Sequence, residues 1–369
     1  MDKPVHNCRD KLGGNSAVNR SRDRESGQES EAKSRSSLYD EVTARIVAEL
    51  EEGRFPWVQP WCSAACGGNP GGGGVPCLPR NALTLRTYSG INILLLWASA
   101  LAHGWERPGW LTFRQALAAG GNVRKGEQGT QVVYADRFTP EAEKERARAS
   151  GDEAKSVAFL KRFTVFNVAQ CDGLPDDLIP PTVALPEREI VPVGEAVIAA
   201  SGIDFRIGGD KAFYSPGRDF VQVPPQQTFH DQVNFYRTAL HELTHGVGHS
   251  SRLNRNLTGA FGSKDYAREE LIAELGSAFL CAALGIVPTV RHADYLGAWL
   301  EVLREDNRAI FRAASMASKA ADWLLARHAA AEAEVAADLA EEIGAARTGA
   351  PACARRTDVV PADEGRAGA

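Results

Sequence analysis

The chain has 369 residues, of which 44% are hydrophobic and 24% charged, and its formal net charge at pH 7 is −5. This length and composition are typical of a soluble globular protein with two domains, and the absence of any run of about 18 apolar residues argues against a membrane span. The seven scattered cysteines argue against a disulfide framework and favour the reducing cytoplasm.

Composition also predicts how the chain is divided. The polar residues 1–36 predict a disordered arm rather than a secretory signal, because they contain no apolar run. The predicted order is this arm (1–36), a first domain (37–173), a linker rich in proline and acid (174–192), a second domain (193–328) and an Ala-rich tail that begins helical and becomes disordered (329–369). The expected fold class is α+β, with a mixed α/β first domain and a mainly helical second domain carrying a small antiparallel sheet.

In the first domain, apolar periodicity predicts helices and strands. The predicted helices are Leu38–Glu52, Ile93–His103 and Trp110–Ala119, and the predicted strands are Gly129–Tyr134 and Phe159–Val168. The charged, Ala-rich residues 139–155 between the two strands are expected to form a mobile hairpin tip. A Gly/Pro-rich loop carries Cys62, Cys66 and Cys77, but their loose spacing and the lack of an evident fourth ligand argue against a second metal site.

In the second domain, a helix is predicted over Val193–Ser201, followed by a small sheet and further helices. The predicted strands are Ile203–Ile207, Lys211–Ser215 and Phe220–Val223, and the later helices are one through residues 235–247, one over Ala267–Leu284 and others within Tyr295–Arg327.

The most informative motif is His241-Glu242-Leu243-Thr244-His245, an H-E-x-x-H pattern. Histidines four residues apart project from one face of a helix, so both imidazoles can bind one Zn²⁺, and the intervening glutamate can take a proton from metal-bound water. Surrounding apolar residues predict that this helix is half-buried. The sequence therefore predicts a zinc site with Glu242 as the catalytic base.

Catalytic zinc takes three protein ligands, so a third is needed beyond His241 and His245. The metzincin pattern would place a histidine three residues after Gly248, where this chain has Ser251. The other candidates are Glu270 and Glu274, which lie four apart beside small residues on an otherwise apolar helix. Acids in such a position need a buried partner, which the zinc and its histidines would supply.

The spacing of these acids resembles that of gluzincin-type proteases. The resemblance implies that Glu270 binds the metal and that Glu274 holds a ligand histidine, although the reverse assignment stays open. Glu269 is interpreted as a solvated charge. Tyr266, four residues before Glu270, is a candidate for stabilising the oxyanion or for packing, and the strand Phe220–Val223 could pair with an extended substrate.

Aromatic and basic residues are interleaved in the first domain. Stacking rings together with cations suit non-specific single-stranded DNA binding, whereas composition alone favours a core position for most of these aromatics, Trp97 especially. The candidate DNA-binding residues are Trp57, Trp61, Tyr88, Arg114, Arg124, Lys125, Lys161 and Arg162.

Several short motifs resemble the antirestriction proteins of the ArdC type. In the first domain they are Trp57-x-x-Pro60-Trp61, Tyr88-x-Gly90-x-Asn92, Trp110-x-Thr112-Phe113, Gly120-Gly121-x-Val123-Arg124-Lys125-Gly126-Glu127-x-Gly129 and Phe166-Asn167-Val168. In the second domain they are the histidine motif, Ser251-Arg252-Leu253-Asn254-Arg255, Phe261-Gly262-Ser263 and Glu269-Glu270-Leu271-x-Ala273-Glu274. The first part is also similar to plasmid TraC primase proteins, although no polymerase signature is present.

The resemblance implies a single-stranded-DNA-binding domain joined to a zincin-like metallopeptidase domain, carried on mobile elements to protect incoming DNA from host restriction. Two hypotheses follow. The chain is either a zinc peptidase brought to a protein substrate by bound single-stranded DNA, or a binding protein that coats DNA or contacts a restriction enzyme while its zinc only stiffens the fold.

Overall fold

The structure is a computed structural model that describes residues 37–57, 77–151, 153–154, 157–175, 178, 187–286 and 295–348. Several sequence predictions lie outside these residues: the disordered arm, Trp61, Cys62, Cys66 and the glycine-rich loop, most of the linker, and the end of the tail. In the described residues no helix is both long and apolar enough to cross a membrane.

The first part of the chain is a mixed α/β unit. Its helices are α1 (Leu38–Glu51), α2 (Ile91–His103), α3 (Phe113–Ala118) and α4 (Glu141–Ser150). Its strands are β1 (Arg80–Asn81), β2 (Gly109–Leu111), β3 (Asn122–Val123), β4 (Thr130–Phe138), β5 (Val157–Asn167) and β6 (Cys171–Asp172). One sheet has the order β1-β2-β5-β4, and β3 pairs separately with β6. The long β4–β5 hairpin therefore forms one side of the larger sheet.

Two elements of this part differ from their prediction. Instead of one helix over Trp110–Ala119, β2 pairs with β5, and α3 begins only after Thr112, whose side chain forms a capping box with Gln115. The predicted mobile tip contains α4, an exposed helix with ion pairs between Lys144 and Glu141 and between Arg146 and Glu143. Pairs at this spacing stabilise a helix that buries nothing.

The second part is mainly helical. Its helices are α5 (Glu187–Ser201), α6 (Gln232–Val247), α7 (Lys264–Ala283), α8 (Leu296–Glu305) and α9 (Ala309–Thr348), and its strands are β7 (Asp204–Ile207), β8 (Phe213–Ser215) and β9 (Phe220–Val223). Residues 187–192 were predicted to belong to the linker. They are instead helical, because α5 begins at Glu187 and includes Pro192. The helical start of the tail is confirmed as far as Thr348.

The small sheet has the order β7-β9-β8 and is mixed, because β9 pairs parallel with β7 and antiparallel with β8. The prediction of a purely antiparallel sheet was therefore wrong. The prediction that β9 could pair with an extended substrate was also wrong, because β9 is already hydrogen-bonded to β7 on one edge and to β8 on the other. Among the described strands, β7 and β8 form the two edges of this sheet, and β8 contacts α6.

Helices α6 and α7 pack closely because small residues line their contact. A Cβ atom at Gly276 of α7 would lie 2.5 Å from Cγ2 of Thr244 in α6, which is too close for any larger residue without movement. This contact sets the two functional helices against each other.

The two parts share one hydrophobic core. Trp57 packs edge-on against Trp299 of α8, with ring centroids 5.9 Å apart, and Trp97 of α2 packs against Phe279 of α7 at 5.7 Å. The Thr43 hydroxyl donates to the carbonyl of Asn307 at 2.7 Å. The first part thus lies directly against the helices that carry the histidine motif.

Candidate metal centre and nucleic-acid face

The histidine motif lies on the buried side of α6, facing α7. His241 and Glu242 are only 2% and 6% exposed, and His245 lies at the border of an open cavity. The apolar residues Leu240 and Leu243 fill the core beside them. The helical spacing thus brings both imidazoles to one side, as the sequence predicted.

Glu270 of α7 lies between the two imidazoles. Its Oε2 is 3.5 Å from His241 Nε2, and its Oε1 is 3.6 Å from His245 Nε2. One donor atom from each of the three residues lies within 4.8 Å of the others. Two imidazole nitrogens and one carboxylate are the donor set of a catalytic zinc site, so these residues fit a divalent metal ion.

The outer nitrogen of each imidazole faces a different glutamate. His241 Nδ1 is 3.6 Å from Oε2 of Glu274, and His245 Nδ1 is 3.1 Å from Oε1 of Glu269. The prediction that Glu269 is a solvated charge was wrong, because it is 9% exposed and also accepts hydrogen bonds from Arg255. Each histidine is therefore flanked by Glu270 on its inner side and by its own glutamate on its outer side.

The buried charges shift one another's pKa values. Burial alone would lower the pKa of His241, but the nearby carboxylates of Glu270, Glu274 and Glu242 raise it above its usual range. Burial alone would raise the pKa of Glu270, but the two histidines and a hydrogen bond from Tyr266 lower it. Without a metal, His241 thus carries a proton that a metal ion would have to displace.

Tyr266 lies at the edge of this cluster, one turn before Glu270 on α7. Its hydroxyl is 3.1 Å from the Tyr295 hydroxyl, and it lines the same cavity as Glu270. Burial and these neighbours raise its pKa, so the hydroxyl keeps its proton at neutral pH. Tyr266 can therefore act as a hydrogen-bond donor next to the cluster.

Two cavities open beside the motif. One of about 340 Å³ is lined by both histidines, Glu242, Glu270, Tyr266, Tyr295, and residues of β8 such as Phe213 and Tyr214. Another of about 450 Å³ reaches His241 and Glu242 from the side of Lys211 and Phe229. Together they give Glu242 access to a groove bordered by β8.

Two of the predicted DNA-binding aromatics, Trp57 and Tyr88, are not fully exposed. Trp57 is 1% exposed and packs in the shared core, so the prediction that it stacks on bases was wrong. Tyr88 is half-buried against the cluster formed by Leu96, Trp110 and Val165.

The predicted basic residues are exposed but differ in their surroundings. Arg124 forms ion pairs with Glu127 and Asp172. Arg114 and Lys125 are also exposed, on α3 and in the turn after β3. Lys161 and Arg162 are neighbours on β5 and point to opposite faces of the sheet, and Arg162 pairs with Glu41 of α1 at 2.9 Å. These cations therefore do not form one continuous row.

An exposed aromatic pair lies on the β4–β5 hairpin and was missed as a site. Tyr134 and Phe163 are 67% and 47% exposed, with ring centroids 6.4 Å apart. The register pairs Tyr134 with Lys161 and Val132 with Phe163, so both rings and Lys161 share one face. We call Tyr134, Lys161 and Phe163 the hairpin face. The sequence contains these residues, but only the strand register shows that they lie together.

Two family models match the chain. The model for the N-terminal domain of anti-restriction factor ArdC matches residues 36–166, and the model for a zincin-like metallopeptidase matches residues 192–316. An uncharacterised protein, y4eC, of Sinorhizobium fredii is 40% identical over 304 residues, which cover 80% of this chain and 94% of that protein.

Two solved structures and a longer relative are also similar to this chain. The metal-free structure of the antirestriction protein ArdC from plasmid R388 has a TM-score of 0.65 and 38% identity, covering 79% of this chain and 98% of that one. Its Mn(II)-bound structure has a TM-score of 0.63 at 37% identity, with the same coverage. The DNA primase TraC of Escherichia coli is 40% identical over 304 residues, but the chain spans only 27% of its length.

Proposed function

Because this chain belongs to the ArdC family of antirestriction proteins, we propose that it binds incoming single-stranded DNA through its first part and carries a zinc peptidase site in its second. The observation that carries the proposal is the cluster of His241, His245 and Glu270 beside an open groove, with Glu242 in reach of that groove. The matched length of TraC is too small a share of that protein to support a priming function.

The metal would be held by Nε2 of His241, Nε2 of His245 and the carboxylate of Glu270. Their inner positions support this assignment over one with Glu274, which lies on the outer side of His241. Glu274 would instead fix the orientation of that imidazole by accepting from Nδ1. The relative ArdC has been solved with Mn(II), and the two-histidine, one-carboxylate set is suited to zinc.

A bound zinc ion would activate water and polarise a peptide carbonyl. Glu242 would take the proton of the attacking water, since it lines the groove beside both histidines and is otherwise buried. Tyr266 would donate a hydrogen bond to negative charge that develops on the carbonyl oxygen. These roles follow from which atoms border the groove.

A protein substrate would lie along β8. This strand borders the groove, and among the described strands it leaves one edge of the small sheet unpaired. An extended peptide can add to such an edge through backbone hydrogen bonds. Aromatic side chains of β8 and α7, namely Phe213, Tyr214 and Tyr266, would contact its side chains.

Single-stranded DNA would bind to the hairpin face. Tyr134 and Phe163 offer exposed rings for base stacking, and Lys161 lies beside them to contact phosphate. Arg114 and Lys125 would extend the phosphate contacts, and Arg124 would contribute less because Glu127 and Asp172 already bind it. Trp61, also a candidate from the sequence, lies outside the described residues.

The alternative is a DNA-binding protein whose zinc is only structural. A structural zinc site is closed by four protein ligands and does not need a general base or a cavity. The open groove of about 340 Å³ and the position of Glu242 favour a catalytic site. Coating of incoming single strands would nevertheless protect them without chemistry, so the two activities need separate tests.

The test is protection of incoming DNA in cells that carry a restriction system. It compares wild type, Glu242→Gln and a Tyr134→Ala/Phe163→Ala double variant. We expect Glu242→Gln to keep metal and DNA binding, to lose peptidase activity and to retain protection, and the hairpin variant to lose DNA binding and protection. A folded, metal-loaded, DNA-binding Glu242→Gln protein that fails to protect would show instead that proteolysis is the mechanism.

A further inference from the structure

We propose that Arg255 is a positioning residue for the metal centre, which it acts on through Glu269 and His245. The inference rests on the metal site proposed above. It also gives a role to the Ser251–Arg255 motif, which neither the catalytic residues nor the DNA-binding residues use.

Arg255 binds Glu269 with a two-pronged contact. Its Nε lies 3.1 Å from Oε2 of Glu269, and its Nη2 lies 2.6 Å from Oε1. The same Oε1 faces His245 Nδ1 at 3.1 Å. Because the planar guanidinium fixes both oxygens of the carboxylate, the position of Glu269, and with it the ring of His245, depends on Arg255.

Arg255 also forms hydrogen bonds to the carboxyl-terminal end of α6, the helix that carries the two histidines. Its Nη2 donates to the carbonyl of Thr244 at 2.6 Å, one residue before His245. Its backbone N–H donates to the carbonyl of Gly248 at 2.8 Å, which closes the turn that brings the side chain back beneath α6. A single side chain thus fixes both the backbone next to His245 and the carboxylate that orients its imidazole.

Arg255 supplies positive charge to a buried cluster that is rich in carboxylates. Four glutamates, Glu242, Glu269, Glu270 and Glu274, surround the two histidines, and all four are nearly buried. The guanidinium of Arg255 places its positive charge against Glu269, whose Oε1 lies 3.1 Å from His245 Nδ1 and can accept its proton. With Nδ1 protonated, the lone pair of Nε2 is directed at the metal position.

Arg255 occupies this position despite a cost. Its side chain is 4% exposed, and its Nη1 is buried with no hydrogen-bond partner among the described residues. A buried, partly unsatisfied guanidinium is a poor choice for stability alone. Gly248 makes room for it, because a Cβ atom there would lie 2.7 Å from Arg255 Nη2.

Arg252 is a matched comparison within the same motif. Its Nε donates to the carbonyl of Gly246 at 2.8 Å, and its Nη2 pairs with Asp219 in the turn between β8 and β9. Both arginines therefore support the end of α6 and bind an acid. Only Arg255 binds the acid that contacts a histidine of the cluster.

The test measures metal binding by the full chain, by competition of Zn²⁺ and Co²⁺ against a chelator. We expect Arg255→Gln to weaken affinity about 10- to 100-fold and to shift the visible absorption bands of bound Co²⁺, which report on ligand geometry. Arg252→Gln should leave both nearly unchanged. In a Glu269→Gln background, Arg255→Gln should cost much less than in wild type, because the connection is already broken.

Several outcomes would overturn the inference. They are unchanged affinity in a folded Arg255→Gln protein, equal losses for both arginine variants, and full additivity with Glu269→Gln. If Arg255→Gln does not fold, Arg255→Lys decides, since it keeps the charge but not the two-pronged contact and should show an intermediate loss. A wild-type protein that binds no metal would refute the proposed metal site itself, and this inference with it.

Discussion

The metal centre and the hairpin face use polar and aromatic side chains in opposite surroundings. In the metal centre, every histidine and glutamate is buried or nearly so, and each histidine has a carboxylate on both sides. On the hairpin face, two aromatic rings are largely exposed. The side chains of the metal centre already contact one another, whereas the two rings of the hairpin face leave most of their surface open to solvent. Substitutions should therefore have larger effects in the first region.

The largest effect is expected for His241→Ala, which removes one of three proposed ligands. Zinc should be absent from the purified protein, while the hairpin face keeps its DNA affinity. Elemental analysis and a DNA titration measure the two. His249→Ala is the control, because His249 contacts Ser251 and Asp219 rather than the cluster. Full zinc content in His241→Ala would place the metal elsewhere.

Substitution of the two glutamates that face His241 should weaken zinc binding less than His241→Ala does, and to different extents. Glu270→Gln should weaken zinc more than Glu274→Gln, for which we expect about a 10- to 100-fold loss, because a ligand contributes more than a residue that orients one. Chelator competition gives both affinities. The opposite order would exchange the roles of Glu270 and Glu274.

On the hairpin face, each aromatic ring should contribute less. Loss of a stacking partner costs about 1–3 kcal/mol per base, so Tyr134→Ala and Phe163→Ala should each weaken single-stranded DNA binding by roughly 5- to 150-fold, with metal content unchanged. Phe261→Ala, at an 81% exposed position in the second part, is the control. Fluorescence anisotropy with unrelated DNA sequences measures the loss, and equal affinity for all variants would exclude this face.

The smallest expected effect is that of pH. The raised pKa of His241 in the metal-free protein means that metal binding releases a proton, so affinity should rise by about tenfold per pH unit until the pH reaches that raised pKa. The charged His241 stabilises the metal-free fold fully below pH 6.5, and this contribution is lost as pH rises through its raised pKa. Calorimetry in buffers of different ionisation enthalpy measures the proton release. An affinity independent of pH would mean that His241 is neutral before the metal binds.

The sequence predicted what helical spacing alone determines. His241 and His245 on one face, and Glu270 and Glu274 opposite them, follow from residues four apart on two helices that pack through small residues. The burial of Glu269 could not be predicted from the sequence, because its partner Arg255 reaches it only through the turn after α6. Trp57 was predicted to be available for stacking but is buried, because tertiary packing, not residue type, decides which ring is exposed.

Local signals also explain the errors in the elements. Thr112 begins α3 three residues later than the apolar pattern of Trp110–Ala119 suggests, because its capping box with Gln115 ends the strand and starts the helix. The mixed pairing of the small sheet is set by contacts between strands that are not neighbours in the chain. Neither the parallel partner of β9 nor its central position is visible in alternation along a single strand.

The contact of Trp57 with Trp299 has a consequence for how the chain unfolds. Since the core runs without a break from α1 and α2 into α7, α8 and α9, the two parts share one cooperative transition instead of melting separately. A fragment cut near residue 173 would leave Trp57 and Trp97 without their partners and expose them to solvent. The proposed DNA binding and the proposed metal site should therefore depend on a single free energy of unfolding, and a destabilising mutation on either side of the core should weaken the two together.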